Sequence, residues 1–179
     1  MEQFVRASKF LSLILRHKPE AGGITLDPNG WAATNSVLGA LGRQGYSDKL
    51  EDLDTIVNTD NKKRYIYSED KSKIRANQGH SVEVDLELSP QQPPEKLYHG
   101  TAQKSVQSIL AGGLNAGSRQ FVHLSTDIDT ATNVGSRHGK PQILVIDAYA
   151  MHKAGRKFYL ARNGVWLTKE VPVKYLQPL

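Results

Sequence analysis

The sequence contains no cysteine. Disulfides, thiolate-held zinc or iron–sulfur centres and cysteine nucleophiles are all excluded by that one absence. Long apolar runs are missing too. No stretch approaches the ~18 apolar residues that a membrane span requires. The opening residues, MEQFVRASKFLS, lack the apolar core and small-residue cleavage pattern of a secretory leader. A soluble, cytoplasmic protein without a membrane partner is expected. Generic catalytic signatures are absent as well. There is no phosphate-binding GxxxxGK(S/T), no GxGxxG after a strand, no HExxH and no GxSxG. No histidine–carboxylate cluster has metal-ligand spacing, so no metal is expected.

What the chain does have is positive charge. Lys and Arg number 23 against 18 Asp and Glu, a formal net charge of +5, which favours an anionic partner. The 179 residues are about 39% hydrophobic, enough for one or two cores. The stretch ELSPQQPPEK, residues 87–96, carries three prolines and two glutamines between two apolar-patterned regions. Proline stiffens a connector and polar residues keep it solvated. A linker over 87–96 therefore separates an N-terminal lobe, 1–86, from a C-terminal lobe, 97–179.

In the first lobe, Phe4, Ala7, Leu11 and Ile14 recur at helical spacing, with Phe10 and Leu15 widening the stripe. Lys18-Pro19 ends that helix, because the residue before proline is driven out of the α region. DPNG, residues 27–30, has the signature of a turn. A short helix is predicted around Asn35 to Arg43, and another after Ser47, with Leu50, Leu53, Ile56 and Val57 on one face. RYIYS and KIRANQG then read as two short strands around a charged turn. Helices followed by a hairpin predict a winged helix-turn-helix. The second lobe is strand-rich: KLYHGT, QFVHLST, PQILVIDAYAM and two strands around Asn163-Gly164. Helices are predicted at AQKSVQSILAGGL, with Gly112-Gly113 as its stop, and after Asp127. The class is α+β, without the regular βαβ alternation of a dinucleotide-binding sheet.

Arginines and histidines gather beside turns. Arg16, His17 and Lys18 stand at a helix C-terminus, where the macrodipole alone favours positive charge by about 0.3–1 kcal/mol. Arg64 opens a strand, Arg119 precedes another, and IRANQGHS places Arg75, Asn77, Gln78 and His80 around a glycine. In YHGT, His99 ends a strand, Gly100 lets a ligand approach the backbone and Thr101 supplies a hydroxyl. HLST repeats the theme with His123 and Ser125.

In this order and across nearly the whole chain, LRHKP, KKRYIY, IRANQGHS, LYHGT and FVHLS resemble the RNA 2′-phosphotransferase family. The resemblance implies a winged-helix N-lobe joined to a C-lobe of the ADP-ribosyltransferase fold. It also implies NAD⁺ as co-substrate and an RNA with an internal 2′-phosphate, tRNA-like, as partner. By motif the family's essential quartet falls on Arg16, His17, Arg64 and Arg119, and these are expected to converge on one phosphate. The NAD⁺ clamp falls on His99, Gly100, Thr101, His123 and Ser125. Lys18, Arg75, Asn77, Gln78 and His80 are expected to contact RNA, and a monomer is expected. The implied reaction passes through an ADP-ribosylated 2′-phospho-RNA. It yields 2′-hydroxyl RNA, ADP-ribose 1″,2″-cyclic phosphate and nicotinamide. Where protein-modifying relatives of that fold carry a catalytic glutamate, NGVWLT offers Val165, which argues against a protein substrate. The competing readings are an ADP-ribosyltransferase acting on nucleic-acid phosphates and a winged-helix DNA-binding regulator.

Overall fold

A computed structural model describes residues 2–179. The chain divides into two units after Glu87. In the first, α1 (Glu2–Arg16) buries Ala7, Leu11, Ile14, Leu15 and Arg16. Full burial of Leu11, Ile14 and Leu15 contributes roughly 1.5–3 kcal/mol each, which anchors the helix and lets its last turn carry a buried cation. Lys18-Pro19 stops it as expected, and the Lys18 N–H turns back to the Leu13 carbonyl at 2.8 Å. The predicted turn forms at Asp27: its carboxylate accepts from the Asn29 and Trp31 N–H groups, both at 2.9 Å. The strand β1 (Ala32–Ala33) and helices α2 (Thr34–Arg43) and α3 (Leu50–Thr59) follow. The hairpin is β2 (Tyr65–Tyr67) and β3 (Lys73–Ala76), with Ile66 opposite Arg75. The sheet order is β1-β3-β2, all antiparallel. The core includes Leu11, Ile14, Leu15, Val37, Leu41, Leu53 and Ile74. Strand β1 has only two residues, too short to show in the sequence as an alternating pattern.

The second unit is built on β4 (Lys96–Ala102). The helix α4 (Val106–Gly112), β5 (Leu114–Asn115), β6 (Val122–Leu124) and α5 (Ile128–Gly135) come next. Then follow β7 (Pro141–Asp147), α6 (Ala148–Lys153), β8 (Phe158–Leu160), β9 (Trp166–Thr168), β10 (Glu170–Val171) and β11 (Leu176–Pro178). The three sheets have orders β11-β7-β4, β6-β9-β8 and β10-β5, again antiparallel. As expected, Asp127 caps α5 by accepting from the Thr130 N–H at 2.7 Å. The predicted strand PQILVIDAYAM is cut in two. Asp147 accepts from Ala150 N at 2.9 Å, caps a helix and ends the strand. Part of the proline-rich stretch is also structured: Gln91 N–H donates to the Phe158 carbonyl at 2.8 Å, beside a bridge between Pro90 and Tyr159.

The chain is thus mixed α+β with small antiparallel sheets. Among the described residues no helix is long and apolar enough to cross a membrane.

Candidate functional site

One five-residue loop, 77–81, gathers the first unit's candidates. At its start the Asn77 N–H donates to the Arg64 carbonyl at 2.7 Å, and its side-chain amide donates to the Lys63 carbonyl at 2.6 Å. In its middle lies Gly79 at φ +92°, where a Cβ would sit 3.3 Å from both Cζ and Nε of Arg16. At its end the Ser81 N–H donates to the Arg16 carbonyl at 2.9 Å, and the Ser81 hydroxyl shares a 2.8 Å hydrogen bond with His17 Nδ1. Arg16, His17 and Arg64, scattered over 49 positions of sequence, are thereby braced by a single segment.

Each is also held from its own side. The Arg16 guanidinium, on a residue only 7% exposed, donates from Nη1 to Ser12 Oγ at 3.4 Å. Tyr65 is buried and feels the charge of both arginines. Its hydroxyl donates to the Ser8 carbonyl at 2.9 Å, and burial raises its pKa despite the opposing pull of the Arg16 and Arg64 charges. Arg64 is fixed by a residue that the sequence reading missed. Asp60 accepts from the Arg64 N–H at 2.7 Å and pairs with the Arg64 guanidinium through its other oxygen. An aspartate four residues before an arginine is an ordinary spacing, so nothing in the letters set this pair apart.

The remaining residues of IRANQGHS divide. Arg75 is buried, lies 4.3 Å from the Trp31 ring centroid and donates to the Asn29 carbonyl at 3.1 Å. His80 is 2% exposed. Burial, then the charges of Arg16, His17 and Arg75, press its pKa down to about 4, so it is neutral at physiological pH. Asn77 is also buried, Gln78 is half-buried and Lys18 is exposed. Arg75, Asn77 and His80 are thus as buried as Arg16, while Gln78 is half-buried and Lys18 exposed.

In the second unit the YHGT and HLST motifs come side by side. Tyr98 and Ser125 exchange backbone hydrogen bonds, both 2.8 Å, which join β4 to the end of β6. His99 Nδ1 donates to the His123 carbonyl at 3.1 Å. That bond fixes the proton on Nδ1 and leaves Nε2 as an acceptor. Burial holds the His99 pKa below its ordinary value, against the opposite pull of this bond. Thr101, His123 and Ser125 are half-buried beside it. At Gly100 a Cβ would lie 1.6 Å from the Ala131 carbonyl oxygen, so α5 packs directly against this glycine. Arg119 is exposed, in a turn closed by its N–H to the Ala116 carbonyl at 3.1 Å. Among the described residues no group of three or more His, Asp or Glu side chains could hold a metal ion.

Loop 77–81 thus touches the Arg16 guanidinium, the His17 ring and the Arg64 main chain, and these three residues carry donor groups of the kind that pair with phosphate oxygens. A sequence model described as "RNA 2′-phosphotransferase, Tpt1 / KptA family" matches residues 2–170. The chain belongs to the RNA 2′-phosphotransferase family. A Hahella chejuensis protein named "Probable RNA 2′-phosphotransferase" is 54% identical over 172 residues, covering 96% of this chain and 92% of that protein. Proteins of the same name from Flavobacterium johnsoniae and Fusobacterium nucleatum are each 53% identical. They cover 95% and 99% of this chain, and 93% and 99% of their own lengths.

Proposed function

We propose that this protein removes an internal 2′-phosphate from RNA by transferring it to NAD⁺. The observation that carries the reading is the loop 77–81, which braces Arg16, His17 and Arg64 together. A 2′-phosphate carries about −1.5 to −2 charge at pH 7, and paired guanidinium forks match it in both charge and shape. Arg16 and Arg64 bind the phosphate. An oxygen of that phosphate attacks the anomeric carbon of the nicotinamide-bearing ribose, and nicotinamide leaves. The neighbouring ribose 2″-hydroxyl then attacks phosphorus and gives up its proton to solvent, the bond to the RNA 2′-oxygen breaks, and that oxygen takes a proton from His17. The products are RNA with a 2′-hydroxyl and ADP-ribose 1″,2″-cyclic phosphate. Arg64 and Arg119 stabilise the charge that builds on the phosphate oxygens in the second step.

The second unit's motifs suit the ribose hydroxyls of NAD⁺. His99 offers an acceptor at Nε2, and Thr101 and Ser125 offer hydroxyls. The DNA-regulator reading fares worse. The helix α3 carries Glu51 and Asp52 in its first turn and Asp54 just after, the wrong sign for a helix laid against a phosphate backbone.

The test is incubation with NAD⁺ and a short oligonucleotide bearing one internal 2′-phosphate, followed by mass analysis. The expected products are 2′-hydroxyl RNA and ADP-ribose cyclic phosphate. Release of inorganic phosphate without NAD⁺ consumption, or a stable ADP-ribosylated RNA as sole product, would overturn the reading.

A further inference from the structure

A groove of about 530 Å³ lies in the first unit beside the phosphate-binding cluster. One wall is a face of α1 carrying Phe4, Lys9 and Ser12, and the other is the segment 59–65, with Lys62 and Arg64. Positions 4, 8, 12 and 16 follow one another at four-residue steps, so they share one helix face. Phe4 and Arg16 are then roughly 18 Å apart along the axis. The groove leads to the cluster at two points. Ser12, in its wall, accepts from Arg16, and Arg64 belongs to both.

Its chemistry is that of a single-stranded nucleic-acid track. The charged lining residues are Lys9, Lys62 and Arg64 against Asp60 alone, and that carboxylate is engaged by Arg64. Phe4 is 39% exposed at the far end, an aromatic side chain with no place in the core. Cations that follow a backbone, combined with an aromatic face for an unstacked base, are how proteins hold single-stranded RNA without reading its sequence. An acidic peptide would use the lysines and leave the aromatic face idle.

We infer that the groove holds the RNA strand flanking the phosphorylated nucleotide, with Lys9 and Lys62 on its phosphates and Phe4 against a base. This rests on the phosphate-pocket reading above. It assigns the α1 groove to substrate length, separately from the chemistry.

The experiment compares a 2′-phosphorylated dinucleotide with a longer single-stranded oligonucleotide carrying the same group, using wild-type protein, Lys9→Glu/Lys62→Glu and Phe4→Ala. For the wild type, KM for the longer RNA should be about tenfold below that for the dinucleotide. In the charge-reversed variant that advantage should disappear, with kcat and all dinucleotide parameters unchanged. Phe4→Ala should lose part of it. Retained preference for the longer RNA in Lys9→Glu/Lys62→Glu, or an equal rise in KM for both substrates, would overturn the inference. A second arm needs no turnover: fluorescence anisotropy of a labelled oligonucleotide without a 2′-phosphate. Charge reversal should weaken its binding about tenfold and flatten its salt dependence. Equal binding by both proteins, or equally effective competition by polyglutamate and unlabelled RNA, would refute the groove. If neither substrate is converted, the reaction reading fails, and the anisotropy arm still decides the groove.

Discussion

Gly79 lies against the Arg16 guanidinium: its missing Cβ would sit 3.3 Å from Cζ and Nε, at a backbone φ of +92°. Both facts demand glycine. A side chain there strains the loop and displaces the guanidinium. Gly79→Ala should cost roughly 1–3 kcal/mol in stability and up to about tenfold in kcat/KM, since the guanidinium must give by less than the ~1 Å misplacement that costs about 100-fold. Denaturant unfolding and steady-state kinetics on 2′-phosphorylated RNA check the two parts. Unchanged kcat/KM would show that Arg16 does not depend on this contact.

Asp60 ties the Arg64 main chain and guanidinium at once. Asp60→Asn keeps the shape and removes the charge that orients the fork. The expected result is a roughly tenfold lower kcat with KM unchanged or lower, because a competitor for the Arg64 charge is gone. Steady-state kinetics separate the two parameters. A pure KM rise would contradict the positioning role.

His80 makes stability depend on pH in a definite direction. Its pKa is about 4 when folded against an ordinary 6.5, so the unfolded chain binds more protons between those values. Stability should therefore fall as pH drops through that window and level off below it, by up to about 3 kcal/mol. His99, also held below its ordinary pKa, adds a loss of the same sign. Urea midpoints at about pH 7 and about pH 4.5 should move less in His80→Gln than in wild type. Equal acid loss in both would refute the assignment.

Gly100 is required by packing: a Cβ would lie 1.6 Å from the Ala131 carbonyl oxygen and 2.6 Å from its carbon. Gly100→Ala should destabilise the protein by about 3 kcal/mol or more, the upper end for overpacking. Thermal unfolding reads this directly, and an unchanged Tm would contradict the contact.

Much of this architecture was legible in the letters. Helix α1 showed through Phe4, Ala7, Leu11 and Ile14, and its end through Lys18-Pro19. The hairpin, the Asp27 turn and the Asp127 cap each carried a local chemical reason, and local reasons survive folding. What stayed hidden depended on distance. The two residues of β1 become a strand only because β3 lies beside them. Asp147 looked like a polar residue inside a strand until its carboxylate found Ala150 N. The packing of Gly100 on Ala131 was hidden too, since the two are 31 positions apart. Within IRANQGHS, letters alone could not separate the inward residues Arg75, Asn77 and His80 from Gln78, because burial is set by the packed unit and not by residue type.

The most direct measurement is single-turnover conversion of 2′-phosphorylated RNA in the presence of NAD⁺ by Arg16→Ala, with Arg16→Lys alongside and folding verified by circular dichroism. Loss of one preorganised charge donor should lower the rate roughly 100- to 1,000-fold. Lysine should not restore it, because it cannot present the bidentate fork. A folded Arg16→Ala protein that converts the RNA at the wild-type rate would contradict the account.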